Sequence, residues 1–540
     1  MIEFDDVSIR HAGAKTPTLA GASFVIPDGD LCLVVGRTGT GKSTLLGAIN
    51  GLVPHFSGSH LAGDVRVEGR STRTHRPRDL AEAVGYVGQN PLAGFVTDRV
   101  EDEVAYGMEQ LGLSPSAMRK RVEETLDIMG IAGLRRRALT QLSGGQQQRV
   151  AIAAVLAAQP RVVVLDEPTS ALDPTAAQDV LSAITTLVYE VGLTVVLAEH
   201  RLERVMHVAD SVLWLPGDGS VEHGPAGQVL ARADVVPPLS ALARRLGWSE
   251  VPLSVRDARR RVQRERVTVS AASASRELVV AGGAEVARVE QLGVSYGDVQ
   301  AVADVSLSLR AGTITAVMGR NGAGKSSLLW ALQGAAASTG QIDVQGIDPR
   351  EVAAQRAREV VSLVPQEAVD LLYLPTVAQE CAQADRETDS TAGTTAAILR
   401  ELGADLDPER HPRDLSEGQR LALVLAIQLA ARPVLVLLDE PTRGLDYAMK
   451  DQLRRILTRL AAGGSCVLVS THDVEFAAAA TDRTIVMADG DVVADGPTRE
   501  VCTSSPTFAP QVSKVFHPSD VLTVDELMVS TPAATEVARV

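Results

Sequence analysis

The clearest pattern along the chain is a set of short apolar runs that end abruptly in polar residues. Runs at 31–35 and 314–318 lead into glycine-rich loops, and runs at 162–165 and 434–438 lead into Asp-Glu pairs. A strand buried on both faces of a parallel sheet reads as a continuous apolar run. Each run is therefore predicted to be a central strand, with polar residues at the carboxyl end where open α/β sheets bind ligands.

The same motifs occur twice in the same order. The segment LCLVVGRTGTGKSTLL at 31–46 returns as ITAVMGRNGAGKSSLL at 314–329, and the segment beginning LSGGQ at 142 returns at 415 as LSEGQ. An internal repeat of this kind predicts a tandem architecture. The chain is accordingly predicted to contain two α/β domains, 1–230 and 286–505, joined by a linker, 231–285, and followed by a C-terminal tail, 506–540, expected to be flexible.

The linker prediction rests on three local features. Pro237 and Pro238 interrupt any helical pattern, an arginine-rich run at 256–266 is typical of a solvated helix face, and SAASAS at 270–275 is typical of a flexible segment.

Composition narrows the class of protein. The chain has 540 residues and a net charge of −15, which argues against a general nucleic-acid-binding role, because such proteins usually carry a basic footprint. Its four cysteines are widely separated, which predicts neither a disulfide framework nor a CxxC zinc site. No run approaches the roughly 20 apolar residues that cross a bilayer, and the amino terminus lacks the pattern of a signal peptide. Action at a membrane would therefore require a partner.

Both glycine loops match the pattern Gly-x4-Gly-Lys-Ser. Such a loop binds phosphate through converging backbone N–H groups and the positive end of the following helix, the lysine reaches the β- and γ-phosphates, and the serine holds Mg²⁺. Two occurrences, each between a predicted strand and a predicted helix, make chance negligible. The predicted nucleotide-binding residues are Gly36, Gly39, Gly41, Lys42, Ser43 and Thr44 in the first loop, and Gly319, Gly322, Gly324, Lys325, Ser326 and Ser327 in the second.

The two Asp-Glu pairs complete this chemistry. Asp166 and Asp439 directly follow their apolar runs and are predicted to act on Mg²⁺ together with Ser43 and Ser326. Glu167 and Glu440, one position later, are predicted to orient and polarise the attacking water.

Together these motifs resemble those of the ATP-binding-cassette (ABC) ATPases, and the resemblance covers both halves nearly end to end. The most specific element is the signature LSGGQ at 142–146, with LSEGQ at 415–419 as its counterpart. The resemblance implies two P-loop NTPase (ABC ATPase) domains, each a mixed β core with a helical subdomain, that form an intramolecular dimer. In that family the signature of one domain covers the γ-phosphate bound by the other, which assigns nucleotide contacts to Ser143, Gly144, Gly145 and Gln146, and to Ser416, Gly418 and Gln419.

Further family elements follow in order. Gln89 and Gln366 resemble the Q-loop glutamine, which senses Mg²⁺ and the transmembrane partner, and His200 and His472 resemble the switch histidine that contacts the γ-phosphate. The D-loops correspond to 170–173 and 443–446. Tyr296 stands where the family stacks an aromatic ring on adenine, and in the first half the equivalent position falls on His11 or Arg10.

The halves differ in ways that predict unequal hydrolysis. Glu417 replaces a signature glycine, and the resemblance places it beside the triphosphate bound by Lys42, where a carboxylate is unfavourable unless it points away or is neutralised. The site built from Lys325, Asp439, Glu440, His472 and Ser143 is therefore expected to be the faster one.

The segments 88–107 and 52–58 resemble the energy-coupling-factor (ECF) type importer ATPases. This implies an ATP- and Mg²⁺-dependent subunit on the cytoplasmic face of the cell membrane, peripheral to a transmembrane coupling protein and a substrate-binding membrane protein, with no nucleic acid involved. A vitamin, a vitamin precursor and a transition metal ion are all compatible substrates. Two alternatives remain open: the fused ATPase of a conventional sugar-type importer, and a ribosome-acting ABC-F-like ATPase. Against the second, the typical long charged helical linker is here interrupted by Pro237, Pro238 and SAASAS.

Overall fold

The computed structural model describes residues 1–169, 172–271 and 283–530. It divides into two compact units, Met1–Ala258 and Arg259–Val540. Each contains a mixed β-sheet core with helices, so the predicted tandem α/β architecture is confirmed. The division between the units lies inside the predicted linker.

The first unit contains ten strands and eleven α-helices among its described residues, and a twelfth helix crosses into the second unit. The strands are β1 (Ile2–Arg10), β2 (Leu19–Ile26), β3 (Leu31–Gly36), β4 (His60–Val67), β5 (Arg70–Ser71), β6 (Val84–Val87), β7 (Val162–Asp166), β8 (Thr194–Ala198), β9 (Ser211–Leu215) and β10 (Glu222–Pro225). The helices are α1 (Lys42–Ile49), α2 (Leu52–His55), α3 (Pro77–Leu80), α4 (Pro91–Gly94), α5 (Val100–Gln110), α6 (Pro115–Ile128), α7 (Gly144–Ala157), α8 (Pro174–Thr186), α9 (Leu202–Val205), α10 (Ala226–Arg232), α11 (Pro238–Arg245) and α12 (Val255–Glu265).

The second unit repeats this plan. Its strands are β11 (Thr268–Ala271), β12 (Glu285–Tyr296), β13 (Val299–Arg310), β14 (Ile314–Met318), β15 (Thr339–Val344), β16 (Val361–Val364), β17 (Leu435–Asp439), β18 (Cys466–Ser470), β19 (Arg483–Ala488), β20 (Asp491–Pro497) and β21 (Leu527–Ser530). Its helices are α13 (Lys325–Leu332), α14 (Ala354–Val360), α15 (Val377–Glu387), α16 (Thr394–Glu401), α17 (Glu417–Leu429), α18 (Tyr447–Ala462), α19 (Val474–Ala480), α20 (Thr498–Thr503) and α21 (Gln511–Phe516).

The main sheet of each unit brings the motif-bearing strands together. Its order is β10–β9–β3–β8–β7–β6 in the first unit and β16–β17–β18–β14–β19–β20 in the second, parallel except for the edge strands β10 and β20. Strands β3, β7, β14 and β17 are buried along their whole length, as their continuous apolar runs predict. A smaller antiparallel sheet, β2–β1–β4–β5 or β13–β12–β15, completes the β-structure of each core.

The segment predicted as a linker, 231–285, contains packed structure in its described part. Pro238 occupies the first turn of α11, where a proline is favourable because its missing N–H would be unpaired anyway, and Leu239 and Leu242 are buried. Helix α12 carries the arginine run as a solvated face, with Ala258 and Val262 buried on the other side. Most of the SAASAS segment lies outside the described residues.

The segment expected to be a flexible tail also carries packed elements as far as residue 530. Helix α21 buries Val512, Val515 and Phe516, and β21 pairs antiparallel with β11 of the predicted linker. The two paired segments are far apart in sequence, and local periodicity does not reveal a pairing of this kind. Residues 531–540 lie outside the described part of the chain.

Candidate functional site

Each glycine loop holds its lysine in the same way. Lys42 Nζ donates to the carbonyl oxygens of Gly36 at 3.0 Å and Arg37 at 3.1 Å, and Lys325 Nζ makes the equivalent bonds to Gly319 and Arg320 at the same distances. Both lysines are buried, and both begin a helix. The ammonium group and the N-terminus of α1 or α13 thus lie together, an arrangement suited to a polyphosphate.

Glycine is required just before each lysine. Gly41 and Gly324 have φ values of 102° and 97°. A Cβ atom would approach a side-chain carbon of Thr18 to 2.5 Å at the first position and the carbonyl oxygen of Ala301 to 2.1 Å at the second. Any other residue would strain the backbone at these φ values and crowd the neighbouring Thr18 or Ala301.

The aspartates predicted to act on Mg²⁺ lie beside the predicted serines. The Ser43 side chain hydrogen bonds with Asp166, and the Ser326 side chain with Asp439, which also accepts a bond from Ser470 Oγ. Burial raises the pKa of both aspartates, opposed by these hydrogen bonds. Hydroxyl and carboxylate oxygens are ligands that Mg²⁺ prefers, so the donor set fits the metal in both halves.

The following glutamates have a strained backbone. Glu167 and Glu440 have φ values of 54° and 49°, in the left-handed region that few non-glycine residues occupy. The N–H groups that hold this conformation donate to Ala198 O at 2.9 Å and to Ser470 O at 3.0 Å. A strained backbone conformation persists only where neighbouring contacts enforce it, and such positions cluster at functional sites.

The predicted switch histidines contact these glutamates. His200 Nε2 lies 2.7 Å from Glu167 Oε1, and His472 Nδ1 lies 2.7 Å from Glu440 Oε2. The two halves therefore use opposite ring nitrogens, and the His472 backbone N–H adds a bond to Glu440 Oε2 at 3.3 Å. In both halves the structure brings the predicted catalytic pair together, with Glu167, Glu440 and His472 buried and His200 partly buried.

The two Q-loop glutamines differ sharply. Gln89 Nε2 donates to Glu167 Oε2 at 3.0 Å. Gln366 is exposed and makes no hydrogen bond within the described ranges. In the second half the predicted catalytic glutamate is instead approached by the loop lysine, with Lys325 Nζ 3.7 Å from Glu440 Oε1. The next residue, Glu367, instead pairs with Arg443 of the second D-loop at 2.7 Å. The metal role of Gln366 stays a prediction.

The adenine positions also differ. Tyr296 ends β12 with 56% of its surface exposed, so its ring is accessible for stacking. His11 has both ring nitrogens engaged, Nε2 with Thr44 Oγ1 at 2.9 Å and Nδ1 with Ser59 Oγ at 2.7 Å. Its ring is therefore held against Thr44 of α1 and Ser59, whereas the Tyr296 ring makes no such contacts among the described residues.

Both signature segments begin a helix in the same way. Ser143 caps α7 and Ser416 caps α17, each in a capping box with the glutamine three residues later, Gln146 or Gln419. Helix N-termini of this kind attract anions, as the predicted phosphate role requires.

The exceptional Glu417 forms an ion pair within its own half. Its carboxylate lies 3.0 Å from the Arg420 guanidinium, and its Cγ lies 3.2 Å from where a Cβ on Gly444 would be. Gly144, the equivalent residue of the first signature, has open space around its Cα. The second D-loop is described in full, whereas residues 170 and 171 of the first lie outside the described part.

A pair of buried glutamates was not singled out by the motifs. Glu103 in α5 accepts hydrogen bonds from the N–H groups of Val96 and Thr97 and from Thr97 Oγ1 at 2.8–3.0 Å, and thereby holds the chain that follows Gln89. Glu380 in α15 accepts from Leu374 N at 2.6 Å in the equivalent place. A glutamate in the first turn of a helix gives the only sequence signal, and it is too common to be specific.

Replacing Glu103 with Ala is expected to lower the unfolding temperature of the first unit. The change removes the acceptor of three donors, and an unsatisfied buried donor costs about 1–3 kcal/mol. In a unit of this size each 1 kcal/mol lowers Tm by about 2–4 °C. Calorimetry of the full chain measures the shift, with Glu109→Ala at an exposed position of α5 as the control. Identical transitions in the two variants would contradict the assignment.

Comparison with known proteins agrees with this geometry. A family model described as "ABC transporter" matches residues 19–170 and 302–443. A "Putative ABC transporter ATP-binding protein" of Streptomyces avermitilis is 52% identical, over 98% of this chain and 99% of the relative. A relative of the same description from Methanosarcina acetivorans is 32% identical, over 93% of this chain and 85% of the relative.

Among solved structures, one described as "RNase-L Inhibitor" aligns with a TM-score of 0.61 at 20% identity, over 93% of this chain and 92% of that chain, a likeness that concerns the fold alone. Within the described residues, no helix is both long enough and apolar enough to span a bilayer. With both halves matched by the family model and a relative 52% identical along nearly its whole length, the protein belongs to the ABC transporter ATP-binding family and is an ATPase with two ABC domains in tandem.

Proposed function

We propose that the chain is the energy-coupling ATPase of an ECF-type membrane importer for a vitamin, a vitamin precursor or a transition metal ion. Its two domains act as a pair within one chain, as the family resemblance implies. A transmembrane coupling protein and a substrate-binding membrane protein complete the importer, with this chain on the cytoplasmic face of the cell membrane.

The observation that carries the proposal is the link between Gln89 and the predicted catalytic carboxylate. Gln89 bonds directly to Glu167, and Leu92 and Val96, a few residues later, are 49% and 61% exposed. An apolar surface on a loop that contacts the catalytic centre suits a partner whose docking changes the position of the glutamate. The second half exposes Tyr373 to 79% after Gln366, which offers a comparable apolar side chain.

In the proposed mechanism, the loop N–H groups and Lys42 or Lys325 bind the phosphates of ATP. Mg²⁺ supplies charge neutralisation at the phosphates when bound, held by Ser43 with Asp166 or by Ser326 with Asp439. Glu167 and Glu440 accept a proton from the attacking water, and the neighbouring histidines, His200 and His472, fix the orientation of the carboxylates.

Affinity purification from gently solubilised cells, with the protein at native level, tests the partners. We expect small polytopic membrane proteins in fixed stoichiometry, and their loss in a Leu92→Asp, Val96→Asp double variant that retains basal ATP hydrolysis. Tyr189→Asp, at a position 67% exposed elsewhere in the first unit, is the control and should retain them. Recovery of sugar-importer membrane subunits, or of ribosomal proteins without membrane partners, would overturn the ECF proposal in favour of one of the two alternatives.

A further inference from the structure

Three side chains of metal-binding type meet in the first unit, outside the nucleotide site. Asp30 precedes β3, Cys32 lies on β3 and His223 lies on β10. Each offers one ligand atom, and these atoms lie within 4.8 Å of one another. Cys32 is fully buried, and the other two are partly buried.

The second unit contains positions equivalent to those of Cys32 and His223. Cys32 pairs with Ser211 across the sheet as Thr315 pairs with Arg483, and His223 pairs with Leu213 as Asp495 pairs with Ile485. The equivalences follow from the register of the strands and do not depend on sequence similarity at these positions.

In the second unit the position is occupied by an ion pair. Arg483 Nε donates to Asp495 Oδ1 at 2.6 Å, and the same guanidinium reaches the carbonyl oxygen of Ser308 at 2.6 Å. An arginine cation thus satisfies a carboxylate and a backbone acceptor at this end of the sheet.

The first unit replaces that arginine with Ser211 and the Asp495 carboxylate with His223, and it carries Asp30 where the second unit has Thr313. Ser211 Oγ donates to Asp30, and Asp210 lies close enough to raise the pKa of Asp30 further, after the main effect of burial. The Asp30 carboxylate therefore faces this position without the guanidinium present in the second unit. Asp210 accepts the backbone N–H of Leu31, as Asp482 accepts that of Ile314 in the second unit. The Nε2 atom of His223 is buried without a hydrogen-bond partner among the described residues.

We propose that Asp30, Cys32 and His223 form a binding site for a thiophilic divalent metal ion of the Zn²⁺ class. One thiolate, one imidazole and one carboxylate are a ligand set that zinc accepts, with a water molecule as the fourth ligand. The thiolate and the carboxylate balance the two charges of the ion. Because the thiol loses its proton, binding adds one net positive charge, as Arg483 supplies in the second unit.

Binding requires only local adjustment and the loss of one proton. Metal–ligand bonds of about 2.0–2.3 Å place tetrahedral ligands about 3.5 Å apart, so side chains whose ligand atoms lie within 4.8 Å of one another need to approach by no more than about 1.3 Å. The Cys32 thiol releases its proton to solvent as the sulfur–metal bond forms. The site lies near the start of β3, about 13 Å along the strand from the glycine loop at its end.

Cobalt is the probe that separates this site from the nucleotide site. A Co²⁺ titration of the metal-stripped full chain, without nucleotide, is expected to give a thiolate-to-cobalt charge-transfer band that saturates at one ion per chain and is lost on adding Zn²⁺. The predicted Mg²⁺ ligands include no cysteine, so cobalt bound there gives no such band. A wild-type protein without the band in excess Co²⁺ overturns the proposal.

Substitutions identify the ligands. Cys32→Thr installs the residue that the second unit carries at the equivalent position, and it should abolish the band. His223→Gln should weaken Co²⁺ binding by at least about tenfold. Cys466→Thr, at another fully buried cysteine, is the matched control and should leave the band intact. A band that survives Cys32→Thr and disappears in Cys466→Thr overturns the assignment, and binding of a fluorescent nucleotide verifies that each variant is folded.

Discussion

Glu440→Gln is expected to lower the kcat of ATP hydrolysis by about 100-fold or more, whereas Glu167→Gln is expected to lower it by less than about tenfold. Both substitutions keep the size of the side chain and remove its negative charge together with its capacity to accept a proton. The difference arises because the two carboxylates are held differently. Glu167 is bonded through Oε1 to His200 and through Oε2 to Gln89, so the amide must move before that oxygen can take a water.

In the second half, both bonds from His472 fall on Glu440 Oε2, while Oε1 faces the ammonium of Lys325 at 3.7 Å. The same half presents Tyr296 for adenine stacking, whereas His11 is tied to Thr44 and Ser59. Both features favour the second half as the faster hydrolytic site.

Phosphate release by the full chain at saturating Mg²⁺ and ATP measures these losses. Glu359→Gln, at an exposed glutamate paired with Arg356, is the control and should leave kcat unchanged. Nucleotide binding by both glutamine variants verifies that the loops remain intact. Equal losses in the two variants, or a larger loss for Glu167→Gln, would refute unequal hydrolysis.

The main sheet and its motifs were predictable because their signals are local and physically specific. A fully buried parallel strand needs a continuous apolar run. The residues that follow its carboxyl end lie at the edge of the sheet where ligands bind. For this reason the order of residues alone is enough to place Asp166 and the adjacent Glu167 at the phosphate loop.

The contacts around these residues were not predictable in the same way. Whether the Q-loop glutamine reaches the glutamate depends on the path of a loop, and Gln89 and Gln366 differ in that path although both match the same motif. The ion pair between Glu417 and Arg420 requires the helix that carries both residues, so the signature motif alone does not reveal it.

The segment between the halves shows a different limit. Pro237 and Pro238 indicate a break in helical structure, yet a proline in the first turn of a helix starts one as readily as it ends one. Asp234, just before them, pairs with Arg37 of the first glycine loop at 2.7 Å. A contact of this kind joins residues far apart in the chain, and periodicity carries no information about it.

Asp439→Asn is expected to abolish most hydrolysis and at the same time to stabilise the protein free of nucleotide and Mg²⁺. The loss of activity follows because an amide neutralises no metal charge. The gain in stability follows because burial raises the pKa of Asp439, with a further contribution from the charge of Glu440. Asparagine removes the buried charge and keeps an oxygen that accepts a bond from Ser470.

The pH dependence of stability tests this reasoning. A carboxyl whose folded pKa is raised binds its proton more tightly in the folded state, so its contribution to stability is greatest at low pH and is lost as pH rises through the raised pKa. The Tm of Asp439→Asn minus that of the wild type, measured with a chelator present, should be positive at neutral pH. It should shrink toward zero as pH falls to the ordinary range of an aspartate.

Adding Mg²⁺ and ATP should reverse the sign of this difference, because the ligand stabilises only the protein that binds it well. Asp491→Asn, at an exposed position on β20, is the control and should show neither the pH dependence nor the reversal. A negative Tm difference in the chelated protein would mean that Asp439 is held as a stabilising carboxylate, and a difference independent of pH would mean that folding does not raise its pKa. Burial of the Asp439 charge would then not destabilise the metal-free protein.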